Sequence, residues 1–130
     1  MDEISIGVYQ SRAVELADAM KLCGAVDPSY PSAVALLAVH SAIAFQDAVR
    51  IKLTGQRSRT RDHMQAVRDI TKVCTMKRVD TAGIKHLQRL VTAKTDVSYG
   101  ERQVTKEQAE TLRVFAERFQ SWAEGLLRMS

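Results

Sequence analysis

Proline and glycine are both scarce, two and six residues in a chain of 130. A many-stranded protein of this size needs a turn roughly every 8–12 residues, and such turns draw heavily on these two residue types. The shortage therefore favours long helices with few connections. Aromatic residues make up 5% of the chain, too few for a platform on which successive bases would stack. The two cysteines, Cys23 and Cys74, show neither a CxxC pair nor a zinc spacing, so no disulfide framework or metal knuckle is expected. They read as reduced, largely buried thiols of a cytoplasmic protein. The opening Met1-Asp2-Glu3 has the wrong charge for a secretory leader. The longest apolar run, Ala33–Phe45, is interrupted by His40 and Ser41. It falls short of the roughly 18 residues that a membrane span requires, so no membrane association is expected.

What is present is a hydrophobic fraction of 45% beside a charged fraction of 26%. That balance can bury a core and keep a wetted surface, and 130 residues is about one domain. The expected organisation is one domain over 1–130, with residues 1–7 set apart as an N-terminal extension. The net charge of +4 is modest but uneven. Arg50, Lys52, Arg57, Arg59 and Arg61 fall in one stretch with no acid between Arg50 and Arg61. Such a run either meets phosphates or is a solvated helix junction.

Periodicity places five helices. Tyr9, Ala13, Leu16, Met20 and Cys23 form one stripe over roughly Val8–Cys23. A second helix starts near Pro31, runs to about Leu53 and stops at Thr54-Gly55. It is apolar nearly all round, as expected of a helix surrounded by others. A third is expected from about Arg59 to Met76. A fourth is expected from Asp80, read as an N-cap, to a stop before Ser98-Tyr99-Gly100. The fifth opens on a Thr105/Gln108 capping box and holds its period through Leu126. Short links between long helices predict an all-α, antiparallel up-and-down bundle of four to five helices.

A few polar residues stand out against this pattern. His40 and Asp47 are seven residues apart, two turns, on one face of the apolar second helix. A carboxylate there is costly unless paired. Lys94 continues the Leu87, Leu90, Val91 stripe, where a lysine either reaches outward or pairs with an acid, for which Asp47 is a candidate. Tyr99 follows at the helix end, and Asp62-His63 opens the third helix after the basic run. Each also has a structural reading: a core histidine bonded to a carbonyl, a lysine complementing a helix C-terminus, an acid complementing an N-terminus. There is no phosphate-binding glycine loop, dinucleotide fingerprint or HExxH. The histidines His40, His63 and His86 have no metal-ligand spacing. Neither a metal nor a cofactor is expected.

Taken together, several segments resemble small bacterial members of the HEPN superfamily. They are Tyr30-Pro31-Ser32-Ala33, Leu37 through Ala44 with Asp47-Ala48, Asp62-His63, Lys94 through Gly100, Ala116 through Phe119, and Trp122-Ala123. The similarity spans roughly residues 8–126. It implies a helical bundle that dimerises with itself. Many members are metal-independent endoribonucleases of toxin–antitoxin, CRISPR or anti-phage systems. Others bind nucleotides or serve as non-catalytic partners of nucleotidyltransferases. The ribonuclease members use an arginine and a histidine, four to six residues apart, near the start of a late helix. There the histidine moves protons at the 2′-hydroxyl and the arginine steadies the charged phosphorane. This chain has Lys94 and Tyr99 in the matching slot. A lysine lacks the bidentate fork and a tyrosine is a poor base near neutrality. Arg57 and His63 satisfy the spacing, but elsewhere in the chain.

Three functions follow as expectations. The first is a dimeric, non-catalytic module binding a nucleotide, an RNA or a partner protein such as a nucleotidyltransferase or an antitoxin. It would use a cleft built from Asp47, Lys94, Tyr99, His40 and His63. The second is a divergent metal-independent endoribonuclease with His63 or His40 as base and Lys94, Arg57 or Arg61 on the phosphate. The third is a purely structural dimerisation unit in which Asp47 and Lys94 form a buried ion pair.

Overall fold

A computed structural model describes residues 3–56, 58 and 60–129, the first three of these by backbone only. Among the described residues the chain forms five α-helices and no strand: α1 (Glu3–Ala25), α2 (Pro31–Thr54), α3 (His63–Met76), α4 (Ile84–Tyr99) and α5 (Lys106–Leu127). The all-α bundle expected from the sequence is the fold observed.

The helix ends follow local chemistry. Pro31 occupies the first turn of α2, and Gly55 closes it in the left-handed region at φ 78°, its N–H donating to the Ile51 carbonyl. The Asp62 carboxylate caps α3, accepting from the Met64 and Gln65 N–H groups at 3.0 and 3.3 Å. The capping box of α5 is complete. The Gln108 N–H donates to Thr105 Oγ1 at 3.0 Å, and the Thr105 N–H donates to Gln108 Oε1 at 2.9 Å.

Four expected boundaries are corrected, the first being that α4 runs on through Ser98 to Tyr99 instead of stopping before Ser98. α1 begins at Glu3, so residues 3–7 belong to the helix rather than to an extension; nothing crowds Gly7 there. α3 begins at His63, because Asp62 and not an earlier residue satisfies its first N–H groups. Asp80 does not cap α4: its carboxylate accepts from the Ala82 N–H at 2.9 Å, closing a turn, and the helix starts after Gly83.

α2 touches all four other helices, which is why it is apolar on every side. It is the one helix among the described residues long and apolar enough, by length and composition, to cross a membrane. Its burial inside the bundle accounts for that composition. Ala35, Ala38, Ala42 and Ala48 are essentially unexposed, and their small size lets neighbouring backbones approach closely. Met20, Phe45, Ile70, Leu87, Leu90 and Phe119 fill the space between helices. Cys74 lies fully within this core, where burial raises its thiol pKa, whereas Cys23 is half-buried rather than enclosed.

Two contacts fix the relative direction of α2 and α5. At one end Pro31 and Val34 share a cavity with Lys106 and Ala109. At the other, Lys52 donates through Nζ to the Met129 carbonyl. α4 runs against α5, since the Asp80–Gly83 turn meets Trp122 while Ala93 and Val97 face Thr111 and Leu112. α3 packs on both α2 and α4.

Candidate functional site

Three basic side chains from three helices lie within electrostatic reach of one another. His40 lies halfway along α2, His63 is the first residue of α3, and Lys94 is in the second half of α4. Thr92 Oγ1 lies 4.0 Å from Met64 Sδ, which marks how closely the start of α3 approaches this part of α4.

The electrostatics report the grouping. His40 is exposed as a whole, yet partial burial of its ring lowers its pKa, and the positive charge of Lys94 lowers it further. His63, half-buried, is lowered first by burial, then by Lys94 and by His40; the neighbouring Asp62 carboxylate opposes this. Both imidazoles are therefore held below the ordinary histidine value of 6.5 and are predominantly neutral at pH 7. The arrangement concentrates one fixed positive charge and two groups able to become positive. An anion placed among them would remove the repulsion and draw protons onto the rings. Asp62 does not supply the compensating charge in full, since its carboxylate is already engaged by the first N–H groups of α3.

The sequence expectation for His40, a histidine enclosed in the core, is corrected: the ring stands at the surface edge of α2. The expectation that Asp47 pairs with Lys94 is also corrected. Both ion pairs found between described residues belong to Arg113, with Glu110 and Glu117. Lys94 acts electrostatically on His40, and Asp47 is two turns farther along α2 than His40, roughly 10 Å along the axis. Asp47 is half-buried and engaged in an interaction of its own. Tyr99, the last residue of α4, is 80% exposed, and its hydroxyl makes no hydrogen bond among the described residues, so it stands apart from the cluster. Arg57 lies outside the described residues, while Arg61 is exposed on the link just before Asp62.

The third histidine, His86, enters the sequence reading only through its lack of metal-ligand spacing to the other two. It is buried and stacks on Phe115 with ring centroids 6.0 Å apart; the Arg89 guanidinium lies 5.1 Å from the same ring. Its Nδ1 finds no hydrogen-bond partner. Burial, followed by the charges of Lys85, Arg118 and Arg89, lowers its pKa. Among the described residues no three His, Cys, Asp or Glu side chains gather as metal ligands.

No family model matches the chain, and no curated protein matches it.

Proposed function

We propose that the protein is a HEPN-like, non-catalytic module that binds the phosphate of a nucleotide or an RNA at His40, His63 and Lys94. The observation that carries this reading is that both histidine pKa values, lowered first by burial, are lowered further by the same Lys94 charge, with His40 also acting on His63. Three cationic or protonatable groups from three separate helices share one locality, and no described carboxylate forms an ion pair with Lys94. A structural role does not call for such an arrangement, because protonating either ring beside Lys94 is opposed by repulsion. A phosphate offsets that repulsion. In the same reading the bundle works as a homodimer beside a nucleotidyltransferase or an antitoxin, as its resemblance implies.

Calorimetry with ATP and with short single-stranded RNA at low salt tests the proposal. Binding that is lost in Lys94→Ala and weakened in His63→Ala supports it. Absence of heat with every phosphate ligand, in wild type and variants alike, rejects it.

One observation favours a second reading, a metal-independent endoribonuclease. Two imidazoles beside an ammonium can supply the groups that RNA cleavage by internal attack requires, provided one is neutral and the other protonated. The neutral ring takes the 2′-hydroxyl proton, the other, protonated once the bound phosphate raises its pKa, gives its proton to the leaving oxygen, and Lys94 offsets charge on the phosphorane. RNA incubated with the protein in EDTA separates the two readings. Cleavage abolished by His40→Ala and by His63→Ala selects the enzyme, and an intact substrate that is nevertheless bound selects the module.

A further inference from the structure

A cleft of about 970 Å³ with no histidine in its lining lies between the C-terminal turns of α4 and the N-terminal turns of α5. Its floor is apolar: Ala93, Val97, Val104 and Leu112 line it and rest on the core. Its rim carries the carboxylates Asp96, Glu101 and Glu107 against the single guanidinium Arg102. This acidic surface stands out on a chain whose net charge is +4. The C-terminal end of α4 opens at the same place and adds the negative pole of that helix. The positive pole of α5 is already offset by its capping box and by Glu107 in its first turn. Lys94 is not part of the lining of this cleft, nor are His40 and His63.

The geometry points to this cleft as a docking groove for a basic amphipathic segment of a partner protein. The segment inserts leucine-like side chains between α4 and α5 and sets lysines or arginines against Asp96, Glu101 and Glu107. Charge complementarity decides the occupant. Nucleic acid is repelled by the rim, and an acidic peptide would bring carboxylates against carboxylates. The anchoring pattern is that of a helix laid in a groove, with apolar contacts at i, i+3, i+4 and i+7.

The probe is a synthetic amphipathic peptide of leucines at that spacing with lysines elsewhere, compared with the same peptide carrying glutamates in place of the lysines. Each is titrated into the isotopically labelled full-length chain and followed by amide NMR. The expected result is that the lysine peptide shifts the amides of residues 93–112 with a Kd on the order of 10–100 μM, while the glutamate peptide does not. The double variant Asp96→Lys/Glu101→Lys weakens the lysine peptide about tenfold or more. Lysine near the end of α4 complements that helix's dipole, so this variant keeps its fold, and it binds ATP as the wild type does. Equal shifts with both peptides, shifts confined to other residues, or no shifts with the lysine peptide would overturn the proposal.

Discussion

Trp122 lies directly over the backbone of Gly83. A Cβ built on that glycine would fall 2.3 Å from the indole Cγ, and the indole Nε1 donates to the Asp80 carbonyl at 3.0 Å. One ring on α5 thus clamps the turn between α3 and α4, and only glycine leaves room for it. Gly83→Ala forces the ring out of its position against Phe119, whose centroid is 5.3 Å away. The expected cost is about 1–3 kcal/mol, the usual range for overpacking, read as a lowered urea midpoint. Trp122 fluorescence should change in the native baseline as well, because the hydrogen bond to the turn is broken. An unchanged midpoint would mean that the clamp is not rigid.

Asp62 has two tasks at the start of α3. As N-cap it satisfies two N–H groups, and as a carboxylate it raises the pKa of the adjacent His63 against three lowering influences. Asp62→Ala should therefore destabilise the fold by about 1 kcal/mol, the usual value of such a cap. It should also move the His63 titration to lower pH still. Both are measurable on one variant, by thermal unfolding and by NMR titration of the imidazole. A stability loss without movement of His63 would separate the cap from the electrostatics.

Acid should weaken the fold by a predictable sign. His40, His63 and His86 all have folded pKa values below 6.5. As pH falls through about 6.5 the unfolded chain takes up protons that the folded chain refuses, and stability declines until the lowered folded values are reached. The contribution is fully present above pH 6.5 and is lost on acidification. His86 is the buried member, without a partner on Nδ1 and faced by Lys85, Arg89 and Arg118, so His86→Leu should flatten the dependence. Melting temperatures at pH 7.5, 6.5 and 5.5 for both proteins check this. Equal slopes would place the loss elsewhere.

The features legible in the sequence were those that depend on neighbours along the chain. The Thr105/Gln108 box, the Pro31 start and the Gly55 stop of α2 are local rules, and each appears as read. The apolar wrap of α2 told that it was central. What failed depended on distant partners. Asp80 looks like a cap, but its carboxylate closes a turn, and the helix start is set by Gly83 under a tryptophan some forty positions later. For Lys94 the sequence offers an outward reach, a helix C-terminus or Asp47 as candidate acid. Its charge instead acts on His40 and His63, and no periodicity encodes that tertiary placement. His40 and His63 were each named as candidates, yet nothing in their spacing joined them. The cleft between α4 and α5 was missed outright; its only trace in the sequence is the run of polar residues after Val97.

The proposed phosphate site makes protonation and binding one equilibrium. An anion held by Lys94 and the two rings must raise both histidine pKa values, so affinity increases as pH falls through the range where they titrate. The most direct measurement is the NMR titration of the His40 and His63 imidazoles, free and saturated with ATP. The account predicts that both midpoints rise together on saturation while His86, outside the cluster, stays where it was. Midpoints of His40 and His63 that are the same with and without ATP would contradict it.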